Sequence, residues 1–224
     1  MTFPKSKQSG FTLVEIAIVL VIIGILLAGV LKGQSLINNS RIKGLVSNMD
    51  GVSAAYNGYV DRYQVQPGTE TLATTAARGW ATTVPGSSPL PLSAATLPPA
   101  STFATVTAQT AFWQVLKASG FFVGNANDTT NPLSSNGGLI GVTFNPYTGV
   151  AGVSVCLSGM PALQAAGVDA IVDGPLPANN VGGNIGTLRG AANAVAPLAP
   201  TGAGGSGAAY NEATNLLWTL CRAI

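Results

Sequence analysis

Histidine is absent from this 224-residue chain, and charged residues make up only 8% of it. Typical soluble proteins contain about 25% charged residues. Without histidine, the chain lacks the commonest general base and a frequent zinc ligand. It also contains no Gly-x-Ser-x-Gly nucleophile motif and no phosphate-loop Gly-Lys-Ser/Thr. The sequence therefore indicates neither an enzyme nor a protein with a bound cofactor.

Basic residues are too few to form a nucleic-acid-binding patch. The formal net charge of +2 comes from Lys5 and Lys7, because the remaining basic residues equal the acidic residues in number. Affinity for nucleic acid depends on neutralising phosphates with clustered Lys and Arg. We therefore expect no nucleic-acid partner.

Cysteine occurs only twice, as Cys156 and Cys221. Their separation excludes a Cys-x-x-Cys redox motif or a zinc ribbon. In an oxidising compartment the two residues are expected to form a disulfide. In a reducing one they would remain two buried thiols.

The most informative stretch is an apolar run from Phe11 to about Leu31 that contains one charge, Glu15. About 20 apolar residues form a helix long enough to cross a bilayer. A carboxylate inside such a helix costs about 2.5–3.5 kcal/mol on insertion scales. Its presence therefore requires a specific explanation.

The start of this run carries a processing motif. A short basic segment, residues 1–10, precedes the run, and no small-residue signal-peptidase site follows Leu31. The sequence Gly10-Phe11-Thr12-Leu13-Val14-Glu15 resembles the class III leader junction of type IV pilins and type II secretion pseudopilins. The resemblance implies that a prepilin peptidase cleaves after Gly10 and that the new terminus, Phe11, is N-methylated.

The resemblance also gives Glu15 a role. It implies that Glu15 pairs with the free amine of Phe11 on a neighbouring subunit of a filament. A helix packed out of register would bury an unpaired charge, so the pair would set the subunit register. The alternative is an ordinary membrane anchor in which Glu15 reaches the lipid–water interface.

The fold expected is α+β, with a long amino-terminal helix packed on a small antiparallel-sheet head. Helical periodicity continues past the apolar run to about Tyr63, and no proline occurs between Phe11 and Gln66. Five segments are expected: a leader (1–10), a transmembrane or filament-core helix (11–31), its head-packing half (32–64), a variable irregular loop (65–110) and the head (111–224).

Within the head, the pattern predicts a helix, a hairpin and further short elements. These comprise an aromatic-rich helix at 109–124, hairpin strands at 138–144 and 149–157, a short helix at 160–166, a strand at 182–189 and a last block at 211–224 that returns to the core. Core packing is the expected role of the aromatic residues in the first helix.

Asp169 and Asp173 are weak metal candidates. Their segment, Val168 to Pro175, resembles an acidic turn that binds calcium in some pseudopilin-like heads. Calcium takes six to eight oxygen ligands, so two carboxylates are too few to define a site. We therefore expect no metal.

The resemblance implies a non-enzymatic structural subunit. The chain would be held in the bacterial inner membrane by one span, with its head in the periplasm, and would then polymerise into a pilus or pseudopilus. Its partners would be other pilin-like subunits, the prepilin peptidase, the inner-membrane assembly platform with its ATPases, and the membrane. The alternative function is a minor pilin-like anchored binding module, for adhesion or DNA uptake, with loop 65–110 as its contact region.

Overall fold

A computed structural model describes residues 10–80, 102–103, 107–175, 186–193, 209–211 and 216–224. The chain divides into two units, Met1–Ser40 and Arg41–Ile224. The predicted α+β class is confirmed: a long amino-terminal helix is followed by a head with a four-stranded antiparallel sheet.

Helix α1 comprises Leu13–Tyr63 and is long and apolar enough to cross a membrane. In the first unit its apolar side chains are exposed on every side of the helix. In the second unit one face is buried, at intervals of three and four residues: Ile42, Leu45, Met49, Val52, Ala55 and Tyr59. Burial along α1 therefore begins at Ile42 and continues to Tyr59.

The sheet has the strand order β1-β2-β4-β3, and every neighbouring pair is antiparallel. Its strands are β1 (Ile140–Phe144), β2 (Val153–Pro161), β3 (Leu188–Asn193) and β4 (Leu217–Ala223). The predicted hairpin is present, but its second strand begins four residues later than expected. Tyr147 and Val150, in the connection, are buried against the sheet instead.

Alternating residues give the sheet two apolar faces. Val155, Leu157 and Leu220 contribute to the main core with α1. Cys156 and Cys221 lie in a smaller cluster with Phe103, Tyr147 and Val150. The sheet of this small head is therefore covered on both faces.

Helix α3 (Thr107–Ala118) supplies the aromatic part of the main core. The ring centroids of Phe112 and Trp113 are 5.0 Å apart, and those of Trp113 and Phe122 are 5.2 Å apart. The expectation that these aromatics form core is confirmed. The helix ends at Ala118, and the chain turns at Gly120, the residue expected to close it, whose φ is 79°.

Gln109 of α3 completes the exposed edge of β1. Its amide Nε2 donates to the carbonyl of Val142, and its Oε1 accepts from the Val142 N–H at 3.4 Å. The Ile140 N–H donates a hydrogen bond to the carbonyl of Pro132 at 2.8 Å. These contacts pair backbone groups that an edge strand otherwise leaves open.

Two helices differ from the predictions. A short helix, α2 (Leu72–Ala77), lies in the segment expected to be irregular, and the side chain of Thr71 caps it. The short helix predicted at 160–166 is α4 (Ala162–Val172), so the supposed acidic turn at Val168–Asp173 is mostly helical. The helix continues through Gly167 and ends at Val172, and the chain turns at Gly174, whose φ is 95°.

Several predicted segments lie outside the described residues. They are leader residues 1–9, residues 81–101 and 104–106 of the variable loop, the first part of the strand predicted at 182–189, most of the Gly/Ala/Pro segment that follows Asn193, and residues 212–215 of the last block.

Candidate functional site

Thr12 and Glu15 form a reciprocal cap at the start of α1. The N–H and the hydroxyl of Thr12 both donate to Glu15 Oε2, each at 2.9 Å. The Glu15 N–H donates to Thr12 Oγ1 at 3.3 Å. This is a capping box, in which side chains satisfy N–H groups that the first helical turn leaves unpaired. It explains why the helix begins at Leu13 and not at Phe11 as predicted.

The cap leaves part of the carboxylate open. Among the described residues, both bonds to the carboxylate reach Oε2, and no hydrogen bond reaches Oε1. The pattern Thr-x-x-Glu before an apolar run is a recognised helix start, so the sequence itself indicates that Thr12 caps α1. Glu15 therefore has a role within its own helix besides any role between subunits.

The surface next to this cap is strongly apolar. Phe11 is 86% exposed and Leu13 is 91% exposed. Exposure continues through the run, where side chains added at Gly24, Gly29 and Gly33 would contact nothing within 4 Å. An apolar surface of this length requires a lipid or protein environment.

Gly44 and Gly58 of α1 lie where a larger side chain would collide with the head. A Cβ at Gly44 would lie 2.8 Å from Ser135 Oγ, and one at Gly58 would lie 2.9 Å from the Phe121 ring. Both contacts bring head segments directly onto the helix backbone. Glycine at these positions therefore serves close packing.

Cys156 and Cys221 form a disulfide within the sheet. They face each other in the register of β2 and β4, and both are fully buried. Tyr147 packs in the same cluster, and its hydroxyl donates to the carbonyl of Thr219 at 3.1 Å. The bond ties the last strand of the chain to the central hairpin.

Asp169 and Asp173 have structural partners. Asp169 Oδ2 accepts from the Tyr210 hydroxyl at 2.6 Å, and the residue is 1% exposed. Asp173 accepts from the backbone N–H groups of Thr187 and Leu188 at 3.1 and 2.7 Å. In the part of the chain that the structure describes, no three His, Cys, Asp or Glu residues group as a metal site. The acidic residues instead connect α4 to the segment before β3 and to Tyr210.

Burial raises the pKa of Asp169 to about 6, with a smaller contribution from the charge of Asp173, against the lowering effect of the Tyr210 hydrogen bond. The folded chain therefore binds a proton more tightly than the unfolded chain, whose aspartate titrates near 3.8. The contribution of Asp169 to the free energy of unfolding is therefore fully present below about pH 4, and it is lost as the pH rises through 6.

Replacing Asp169 with asparagine should raise the free energy of unfolding at pH 7 by about 1–3 kcal/mol, since about 1.4 kcal/mol corresponds to each pKa unit. The neutral amide needs no charge solvation and still accepts from Tyr210. Urea unfolding of the detergent-solubilised full chain at pH 4 and pH 7 measures this. The matched control, Asp173→Asn, should destabilise the chain, because the charge on Asp173 strengthens its backbone hydrogen bonds. Equal pH dependence in D169N and the parent chain would contradict the assignment.

A second buried carboxylate joins the first part of the variable segment to α1. The Tyr59 hydroxyl donates to Glu70 Oε1, and the Gly68 N–H donates to Oε2 at 3.0 Å. Arg78 Nη1 lies 3.3 Å from Glu70 Oε1, and its guanidinium carbon lies 4.2 Å from the centre of the Tyr63 ring. The loop expected to be irregular is therefore fixed to the helix at residues 68–78.

Residues 5–31 match the model of the prokaryotic N-terminal methylation motif. This segment is therefore a class III leader followed by an apolar helix, and it indicates a precursor of the type IV pilin or pseudopilin kind. The match covers the leader and the apolar run but not the head. No curated protein and no solved structure matches the chain significantly.

Proposed function

We propose that this chain is a structural pilin-like subunit that is processed after Gly10 and assembled through α1 into a type IV pilus or a type II secretion pseudopilus. The observation that carries the proposal is the methylation motif at 5–31, which includes the first part of an apolar helix whose side chains are exposed. Such a surface is stable in a bilayer before assembly and among other helices afterwards.

Processing and membrane topology follow from the same segment. The prepilin peptidase removes residues 1–10, and the new amino group of Phe11 is methylated. Residues 11–31 span the inner membrane once, with Lys5 and Lys7 on the cytoplasmic side before cleavage and the head in the periplasm. The subunit then leaves the membrane for the filament, with the assembly platform as its partner.

The capping box supports a specific form of the register contact. Thr12 occupies Glu15 Oε2, which leaves Oε1 for the amine of Phe11 on the next subunit. One carboxylate then caps its own helix and pairs with its neighbour. A subunit placed out of register loses that ion pair in an apolar surrounding, where an unpaired charge is costly.

Replacing Glu15 with leucine should leave processing and membrane insertion intact while reducing the yield of sheared filaments by about tenfold or more. A loss of about 1.4 kcal/mol of binding free energy at each contact between subunits lowers the association constant tenfold. Filament yield and membrane-bound chain are measured on the same cells by immunoblotting. E15L filaments formed at the parental yield would show that Glu15 does not set the register.

Intact mass of the mature chain is the control for processing. The parent chain and E15L should both lack residues 1–10, and the parent should carry one additional methyl group on Phe11. Retention of the leader by the parent chain would rule out the proposed function, whatever the filament yield of the variant.

A further inference from the structure

Tyr210 connects helix α4 to the last strand of the sheet. Its hydroxyl donates to Asp169 Oδ2 at 2.6 Å, and its ring centroid lies 4.5 Å from that of Trp218, the second residue of β4. All three side chains are buried. Asp169, Tyr210 and Trp218 together form what we call the tyrosine clasp.

The carboxyl group in this clasp is buried without a cation. Asp169 lies in the last turn of α4, and a second carboxylate, Asp173, follows four residues later at the end of the same helix. Positions four apart are neighbours on a helix, so a charge on Asp173 opposes a charge on Asp169. The Tyr210 hydroxyl is a neutral donor and does not compensate a buried charge fully. The geometry therefore favours a protonated Asp169 while the clasp is closed.

Cations on the segments around α4 do not compensate Asp169 either. These cations are Arg41 and Lys43, which flank Ile42 of α1, Arg189 of β3 and Arg222 of β4. Arg222 is paired with Asp50 at 2.6 Å, and Arg189 Nε donates to the carbonyl of Gly186 at 3.2 Å. Arg41 and Lys43 are exposed, and β2 has no titratable side chain besides the disulfide-bonded Cys156. Within the described ranges, no ion pair includes Asp169.

Two buried tyrosines near this site keep their protons at neutral pH. Burial raises the pKa of Tyr210 above its ordinary value of 10, and the hydrogen bond to Asp169 raises it further. Burial also raises the pKa of Tyr147, which lies in the smaller cluster. Asp169, whose pKa is about 6, is therefore the member of the clasp whose charge changes between pH 4 and pH 7.

We propose that the tyrosine clasp is a pH-sensitive fastening, closed in acid, which opens locally as the pH rises toward neutrality. Protonated Asp169 is neutral and remains buried under Tyr210. Ionised Asp169 is stabilised by water, and displacement of Tyr210 admits water and uncovers Trp218. Strand β4 stays in place, because it is hydrogen-bonded to β2 and β3 and cross-linked by the disulfide. The inference does not depend on the proposed function.

Hydrogen exchange of two buried indole N–H groups measures the opening. In the part of the chain that the structure describes, neither Trp218 Nε1 nor Trp113 Nε1 has a hydrogen-bond partner, so burial alone slows their exchange. NMR of the detergent-solubilised full chain gives each rate relative to free tryptophan. The opening equilibrium at Trp218 should rise about a hundredfold between pH 4 and pH 7 and then level off, because the pKa of Asp169 is about 6 in the closed state against an ordinary 3.8.

Trp113 is the internal reference for global unfolding. Its ring neighbours are Phe112 and Phe122 in the main core. Its indole N–H should exchange more slowly than that of Trp218, and its rate should increase in low concentrations of urea, whereas the rate at Trp218 should not. Equal rates with equal urea dependence would show that Asp169 acts only on the stability of the whole head, and would overturn the local clasp.

Three variants test the chemistry of the clasp. Asp169→Asn should abolish the pH dependence at Trp218 and hold its exchange at the acid value, because the amide is neutral throughout. Tyr210→Phe should speed exchange at Trp218 severalfold even at pH 4. Its matched control, Tyr147→Phe, removes another buried hydroxyl and should leave local exchange at Trp218 at the parental rate. Parental pH dependence in D169N, or equal effects of Y210F and Y147F, would contradict the proposal.

Discussion

Replacing Arg78 with alanine should lower the free energy of unfolding at pH 7 by about 3 kcal/mol, because it leaves the Glu70 carboxylate buried without a cation. The side chain of Glu70 is only 1% exposed, and that of Arg78 is 21% exposed. Tyr59 and Gly68 still donate hydrogen bonds, but neither supplies a positive charge. Urea unfolding of the detergent-solubilised chain, followed by far-UV circular dichroism, measures the change.

The pH dependence of this loss has a defined sign. Burial raises the pKa of Glu70, against the lowering effects of backbone N–H donors, including that of Gly68, and of the Arg78 charge. Without Arg78 the pKa rises further, so acidification protonates Glu70 and removes the unpaired charge. The difference between R78A and the parent chain should therefore shrink as the pH falls toward the pKa of Glu70.

Arg62→Ala is the matched control for R78A. Arg62 also lies over the Tyr63 ring, at 5.4 Å, but it is exposed and is not bonded to Glu70. Its removal should change stability by about 0.5 kcal/mol or less. Adding Glu70→Gln to R78A should recover most of the loss, since the buried charge is then absent. Equal losses from R62A and R78A would mean that the aromatic contact, and not the ion pair, stabilises this segment.

Removing the disulfide with Cys156→Ala and Cys221→Ala should cost about 4 kcal/mol of unfolding free energy. The two residues are 65 positions apart, and the chain-entropy estimate for such a loop is of that size. The effect arises mainly in the unfolded chain, which gains freedom when the cross-link is lost. Urea unfolding of the double variant and the parent under oxidising conditions measures the difference.

Treatment of the parent chain with a thiol reductant is the corresponding control. Both cysteines are fully buried. The disulfide should therefore resist the reductant in the folded chain and be cleaved only after urea has unfolded the chain. Alkylation followed by mass measurement distinguishes the two states. A double variant with parental stability would show that the cross-link contributes no net stabilisation.

The parts of the fold that local patterns determine were predictable. The apolar run and the spacing from Leu45 to Tyr59 indicate one long helix with a buried face in its second half, and the structure has both. Leu36 and Ile37, which fit the same spacing, are exposed. The hairpin was predictable because turn-forming residues separate two β-rich runs. The boundaries were less accurate, since burial of Tyr147 and Val150 against the sheet, and not local propensity, decides where β2 begins.

Contacts between distant residues were not predictable in the same way. Glu70 and Arg78 are the only charges in the variable segment from 65 to 110, but the sequence does not show that Tyr59 completes their network. The local sequence around Asp169 predicts an acidic turn, whereas the burial of this residue depends on contact with Tyr210, 41 residues away. The Thr12 cap is different, because the Thr-x-x-Glu pattern is local and can be recognised from the sequence alone.

The paired edge of β1 has a consequence for how copies of this chain associate. In the proposed membrane-bound state many identical heads would lie close together, and an open strand edge would let them join sheet to sheet, as in amyloid. Gln109 occupies both hydrogen-bonding groups of Val142 and closes that route at this position. In the proposed filament, copies of the chain would then associate through their helices and not through this strand edge, where pairing favours β-aggregation.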